Sequence, residues 1–87
     1  MKYYELAPVH DVRKSFYGKA LVFDLGSGIL ELHSYGTTVA KINRKRHAVV
    51  LFPAWDHSAT TLRHVKEFLR QHGFNAETRA QIERDYL

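Results

Sequence analysis

The hydrophobic pattern of this chain changes once, near Pro53, and that change limits the folds open to it. Before Pro53, β-branched and aromatic residues occur in short runs between glycine-containing or polar turns, a pattern typical of β-strands. After Pro53, apolar residues recur with the period of an amphipathic helix. The pattern therefore predicts a sheet followed by helices.

Four strands are predicted before Pro53. They occupy residues 19–25, 29–35, 37–42 and 47–52. The Gly-Ser-Gly sequence at residues 26–28 predicts a turn, because glycine adopts positive φ without steric cost. Residues 43–46, Asn-Arg-Lys-Arg, predict a polar turn before the last strand. The continuous apolar run of that last strand indicates a central position in the sheet.

Two helices are predicted after Pro53. The first covers residues 58–72, and Gly73 stands where a left-handed residue would end it. Arg63, Glu67 and Arg70 are expected to face solvent, with Arg63 and Glu67 at the i, i+4 spacing of a surface pair. The expected buried face consists of Leu62, Val65, Phe68 and Leu69. The second helix covers residues 76–86, with Asn75 as its N-cap.

The first eighteen residues carry the weakest pattern. The sequence YYEL at residues 3–6 is compatible with an edge strand, and VHDVRKSF at residues 9–16 with a short helix. The predicted fold is α+β: a small antiparallel sheet of about four strands followed by two helices packed on one face.

Length and charge restrict the function. The 87 residues predict a single domain spanning 1–87, since domains contain ~50–250 residues. The net charge of +4 favours acidic partners such as nucleic acid or an acidic protein surface. The absence of cysteine excludes disulfides and thiolate metal sites. No signal peptide or membrane span is recognisable, so a cytoplasmic location without membrane association is expected.

Asp56, His57 and Ser58 have the residue types of a hydrolase triad, but they are adjacent in sequence. A triad requires three converging side chains, whereas consecutive residues at the start of a helix point in different directions. Asp56 or Ser58 is better explained as a helix cap. The six histidines lack the spacing of a metal motif. We therefore expect a protein that is not an enzyme and needs no cofactor or metal. Trp55, just before the helix, is expected to anchor the core.

Basic side chains are the candidate binding residues. One group surrounds the turn before the last strand, and the other lies on the first helix. Both groups could contact phosphates. The alternative is a solvated surface that keeps the protein soluble. The candidates are Lys41, Arg44, Lys45, Arg46, Arg63, Lys66 and Arg70.

Two motifs and Trp55 resemble a family of small proteins from Gram-positive bacteria and their phages. The motifs read S-Y-x-T-x-V-A, at residues 34–40, and T-T-x-R-H-x-x-E-F-L-x-Q-x-G-F, at residues 60–74. The resemblance covers about a third of the chain. It implies a phage or mobile-element accessory protein, without implying any biochemical activity.

Small proteins of that setting often bind host machinery, as inhibitors of CRISPR nucleases do. The resemblance thus predicts a non-enzymatic protein of the bacterial cytoplasm that binds a host protein or nucleoprotein complex. The alternative is a nucleic-acid-binding module that uses the basic hairpin and helix face. A homodimer is left open.

Overall fold

The computed structural model describes residues 2–87, and within them the chain forms one antiparallel sheet and two helices. The five strands follow one another across the sheet in chain order. The elements are β1 (Lys2–Glu5), β2 (Ala20–Gly26), β3 (Ile29–Ser34), β4 (Thr37–Asn43), β5 (Ala48–Leu51), α1 (Ala59–Gln71) and α2 (Arg79–Tyr86). The α+β prediction is confirmed, with five strands instead of four.

The additional strand is β1, which forms one edge of the sheet. Tyr3 pairs with Phe23 and Tyr4 pairs with Val22 in an antiparallel register. The edge strand considered for YYEL is therefore confirmed. The short helix considered for residues 9–16 is wrong, since that segment has no regular secondary structure. Its polar groups instead bond to side chains of α1.

The predicted central position of the last strand is also wrong, because β5 is the other edge of the sheet. The apolar residues of β5 lie on two different faces of the sheet. Val49 and Leu51 pack against the core, whereas Val50 projects from the opposite face and is 47% exposed. A continuous apolar run thus does not require a strand with two neighbours.

The core lies between α1 and one face of the sheet. Val65, Phe68 and Leu69 of α1 are fully buried, as the helical period predicted. They belong to one apolar cluster with sheet residues such as Leu32 and Ile42. Burying an apolar side chain of this size contributes ~1.5–3 kcal/mol. Trp55 also belongs to the cluster, which confirms its predicted role as an anchor.

The helix ends agree with the sequence at α1 and differ at α2. Ser58 caps α1, its Oγ accepting a hydrogen bond from the Thr61 amide at 3.1 Å. Helix α2 begins at Arg79, and its cap is Thr78 instead of Asn75. Both residue types make good caps. The Thr78 hydroxyl accepts a hydrogen bond from the Gln81 amide at 3.1 Å, whereas the Asn75 carbonyl accepts hydrogen bonds from Gln81 Nε2 at 3.0 Å and the Tyr86 hydroxyl at 2.8 Å. Residue preferences alone do not choose between the two positions.

Candidate functional site

The face of the sheet opposite the core is not covered by the helices. Along β3, buried residues alternate with residues that are only partly buried, as expected of a sheet with one covered face. We call the other side the open face. The strand register places on it Tyr3, Leu21, Phe23, Glu31, His33, Lys41 and Val50.

Three aromatic rings form a continuous row across this face. The rings of Tyr3 and Phe23 are stacked with centroids 5.4 Å apart, and those of Phe23 and His33 lie 4.3 Å apart. Because the rings come from β1, β2 and β3, the row crosses the strands. Tyr3 is 66% exposed. We call these three residues the aromatic row.

Polar neighbours fix the inner end of the row. His33 Nε2 lies 3.2 Å from Glu31 Oε1 and 3.1 Å from the Thr38 hydroxyl. Glu31 is paired in register with Lys41 on β4. The row is therefore bordered by Lys41, one of the predicted binding residues.

The other basic residues of the hairpin form the turn between β4 and β5, which we call the basic turn (Arg44, Lys45 and Arg46). Asn43 Oδ1 accepts hydrogen bonds from the amides of Lys45 and Arg46, each at 3.1 Å. The Arg44 amide donates to the Gly28 carbonyl at 2.8 Å, which docks this turn against the β2–β3 turn. The side chains of the basic turn are exposed. The backbone thus presents three cations from one fixed loop.

The helix cations occupy a different place. Arg63, Lys66 and Arg70 line one shallow cavity on α1. Arg63 is ion-paired with Asp11 at 2.9 Å, and Arg70 Nε donates to the Ala76 carbonyl at 2.9 Å. The structure therefore divides the seven predicted residues into two groups. Both guanidinium groups of the helix set already have partners within the fold.

Glu67 corrects a prediction, because it is buried instead of facing solvent. Its Oε1 accepts a hydrogen bond from the His10 amide at 2.6 Å, and its Oε2 lies 2.8 Å from His10 Nδ1. Gln71 Nε2 donates to the same Oε2 at 2.8 Å. The predicted surface pair of Arg63 and Glu67 is thus wrong: Arg63 pairs with Asp11.

These contacts hold the irregular segment of residues 7–18, which we call the strap, against α1. Gln71 Nε2 also donates to the Ala7 carbonyl at 2.7 Å. Because the strap covers this side of α1, Glu67 is buried although a helical projection places it on the solvent-facing side. The periodicity of α1 contains no signal for this covering layer.

A second polar cluster lies buried between β3 and α1, and sequence reasoning missed it. Ser34 Oγ is 2.8 Å from His64 Nδ1 and 3.1 Å from Thr61 Oγ1. Phe16 packs edge-on against the His64 ring, with centroids 4.6 Å apart. The only available signal was that all three polar residues fall within the two family-like motifs.

A serine beside a histidine raises the question of nucleophilic catalysis. Burial lowers the pKa of His64 to about 4, with Arg13 adding to the shift and Asp11 opposing it. Ser34 is 2% exposed, and within residues 2–87 His64 Nε2 has no hydrogen-bond partner that could orient it as a base. These properties favour a structural link between β3 and α1.

The residues considered as a triad do not converge. Ser58 Oγ bonds to Thr61, whereas Asp56 Oδ2 accepts hydrogen bonds from Arg79 at 2.6 and 2.8 Å. Across residues 2–87, no group of three histidine, aspartate or glutamate side chains is placed to hold a metal ion. None of the helices in that range is long and apolar enough to cross a membrane.

Comparison with known proteins places these features in a family. Residues 4–84 match a family of unknown function, DUF8033. The chain belongs to DUF8033. The match includes the aromatic row from Phe23 to His33, the basic turn, and the buried cluster of Ser34, Thr61 and His64. The predicted resemblance to a small family without established activity agrees with this membership, and the Gram-positive and phage setting stays a prediction. No curated protein and no solved structure matches the chain.

Proposed function

We propose that this DUF8033 protein is a non-enzymatic module that binds single-stranded nucleic acid on the open face. The aromatic row is the observation that carries the proposal. Every base has a π face, so an exposed ring on a sheet, here that of Tyr3, offers a stacking site to bases of any sequence. Antiparallel sheets with aromatic residues on an uncovered face are an established platform for single strands.

The arrangement of the row suits this role. Tyr3 lies at the edge of the sheet and is 66% exposed, so its ring is the most accessible stacking surface, with Phe23 and His33 partly buried behind it. The observed centroid separations of 5.4 and 4.3 Å keep the rings in contact with each other. The row is consequently a preformed surface that needs little ordering when a strand binds.

The positive charges near the aromatic row also favour single-stranded nucleic acid as the ligand. Lys41 borders the row on β4, and the basic turn follows directly at the end of that strand. Cations beside the stacking surface can contact the phosphates while the bases lie on the rings. The net charge of +4 adds a favourable long-range attraction.

A duplex fits less well than a single strand. Base faces are available for stacking only when the bases are unstacked from one another. The major groove of a duplex admits a helix or a two-stranded ribbon, but a five-stranded sheet is too wide to enter it. The helix cations, which could approach a duplex backbone, are partly occupied by Asp11 and the Ala76 carbonyl.

The expected role as a cytoplasmic phage or mobile-element accessory protein, such as an inhibitor of a CRISPR nuclease complex, stays part of the proposal. Single-stranded nucleic acid within a host nucleoprotein complex would provide such a protein with its binding partner. A host protein that covers the open face directly is the competing outcome.

The test is binding of a fluorescent deoxythymidine oligomer of about 12 nucleotides, within the ~4–16 nucleotides that one such platform covers. Tyr3→Ala and Phe23→Ala should each weaken binding by roughly five-fold or more, since one stacked base contributes ~1–3 kcal/mol. Tyr35→Ala is the matched control, because Tyr35 is also exposed but its ring lies near His64 on the helix side.

The proposal fails if the oligomer does not bind at low salt. It also fails if the Tyr3 and Tyr35 variants bind equally well. In either case, a complex with a host protein that Tyr3→Ala disrupts would favour the competing outcome. Circular dichroism of Phe23→Ala establishes that its effect is not loss of the fold.

A further inference from the structure

A groove lies at the end of the sheet where the basic turn meets α2. Its volume is about 510 Å³, in the range of small-ligand sites. Its main lining residues are His47, Ala48, Phe74, Asp85 and Tyr86. We call it the sheet-end groove. The aromatic row takes no part in it.

His47 has an unusual backbone and a fixed ring. Its φ is 52°, in the left-handed region that non-glycine residues rarely adopt. The ring stacks on Phe74 with centroids 4.2 Å apart and an interplanar angle of 15°. Phe74 is buried and is supported edge-on by Tyr86. Stacking covers one face of the imidazole and, because His47 is exposed, leaves the other accessible.

The sheet-end groove adjoins the open face at Ala48. Ala48 lines this groove and also a second cavity that contains Lys41 and Val50 of the open face. Arg46 precedes His47 directly in the chain. A strand that crosses the open face would enter the sheet-end groove past Ala48, beside the basic turn.

The groove also contains an acceptor for N–H groups. Hydrogen bonds from Gln81, at 2.8 Å, and Arg84, at 3.2 Å, lower the pKa of Asp85, so its carboxylate is ionised. A carboxylate has about four lone-pair positions, which leaves capacity for further donors. A negative group suits a base with N–H donors better than it suits a phosphate.

We propose that the sheet-end groove takes one base of the bound single strand, stacked on the exposed face of His47, and that Asp85 makes guanine the preferred base. Guanine presents a ring N–H and an adjacent amino group, which together match the two oxygens of a carboxylate. This inference rests on the proposed function, because the strand is brought to the groove by the open face.

The experiment compares the oligothymidine probe with the same probe carrying one terminal guanine, at either end. The wild-type protein should bind one guanine-ended probe several-fold more tightly than plain oligothymidine. A probe ending in hypoxanthine, which lacks the amino group, should lose most of that advantage. Guanosine monophosphate alone, the free-nucleotide source of the same base, should bind far more weakly than the guanine-ended probe.

Three variants test whether His47 and Asp85 are responsible for the preference for guanine. Asp85→Asn should remove the preference for guanine while leaving oligothymidine binding on the open face in place. His47→Ala should weaken the guanine-ended probe by roughly five-fold or more. His47→Phe keeps a ring on Phe74 and should restore binding. His57→Ala is the matched control, since His57 lines a different cavity beside the start of α1.

The outcomes separate the two proposals. If oligothymidine binds and depends on Tyr3, but neither His47→Ala nor Asp85→Asn changes the guanine preference, only the sheet-end inference is overturned. It is likewise overturned if guanosine monophosphate binds as tightly as the guanine-ended probe. If the wild-type protein binds no oligonucleotide, the proposed function and this inference both fail.

Discussion

Ser34 Oγ on β3 lies 2.8 Å from His64 Nδ1 on α1, and both side chains are buried. Thr61 completes the cluster through a contact of 3.1 Å with Ser34. All three residues belong to the motifs that carry the resemblance to a known family. These three motif residues therefore link the first helix to the sheet, and chemistry is not needed to explain them.

Stability should depend on pH through His64. Burial lowers its pKa to about 4 in the folded protein from the ordinary value of 6.5, which the unfolded chain retains, so the unfolded chain binds more protons between these values. The contribution of His64 to the free energy of unfolding should be fully present above about pH 6.5. It should fall as the pH is lowered toward 4, with a total loss from this group of up to ~3 kcal/mol. Burial also lowers the pKa of His72, which adds in the same direction. Urea unfolding across this pH range measures the effect.

His64→Asn provides the control for that prediction. An asparagine amide can still bond to Ser34 but does not titrate in this range. The variant should show a flatter dependence of unfolding free energy on pH, with the contribution of His72 remaining. An unchanged pH dependence would assign the effect to other groups.

Ser34→Ala should destabilise the protein by about 1–3 kcal/mol, because it leaves the buried imidazole of His64 without its partner. Thermal or urea unfolding at neutral pH gives the value. Ser27→Ala, in the exposed β2–β3 turn, is the matched control and should change stability by less than ~0.5 kcal/mol. Equal effects of the two substitutions would contradict a structural role for the buried cluster.

Glu67→Gln should loosen the strap. The carboxylate accepts three hydrogen bonds, from the His10 amide, the His10 ring and Gln71, and an amide replaces one acceptor oxygen with a donor. Hydrogen exchange at the His10 amide and across residues 7–18 should become faster, while exchange in the core strands changes little. Glu77→Gln, at an exposed position, should leave exchange in the strap unchanged. Protection of the strap in the Glu67 variant equal to that of the wild type would rule out the carboxylate as its anchor.

The basic turn should set the salt dependence of nucleic-acid binding. Replacing Arg44, Lys45 and Arg46 together with alanine should reduce the slope of log affinity against log salt by roughly 2, since each phosphate contact in a single strand contributes ~0.7. Titrations of the oligothymidine probe at several salt concentrations measure the slope. Replacing Arg63, Lys66 and Arg70 on α1 should change this slope less. A larger change would indicate that the phosphates contact α1 instead of the basic turn.

The part of the fold that depends on local pattern could be predicted from the sequence. The period of 3.6 identified α1, and the residue preferences for helix ends identified Gly73 and limited the N-cap to Asp56 or Ser58, of which the structure uses Ser58. The clustering of cations in the chain likewise identified the basic turn. The start of α2 could not be predicted in this way, because Asn75 and Thr78 are both suitable caps and residue preferences do not choose between them.

The sequence by itself determined strands β2 to β5, helix α1 and the place of the cations in the β4–β5 turn, because these properties depend on residues close together in the chain. The tertiary structure decided that Glu67 is buried by the strap, that β5 is an edge, and that Tyr3, Phe23 and His33 form one row. Each of these depends on pairing between distant segments. The register that brings Tyr3 beside Phe23 joins strands separated by residues 6–19, a connection too long for a tight turn to set the pairing, and no local period specifies it.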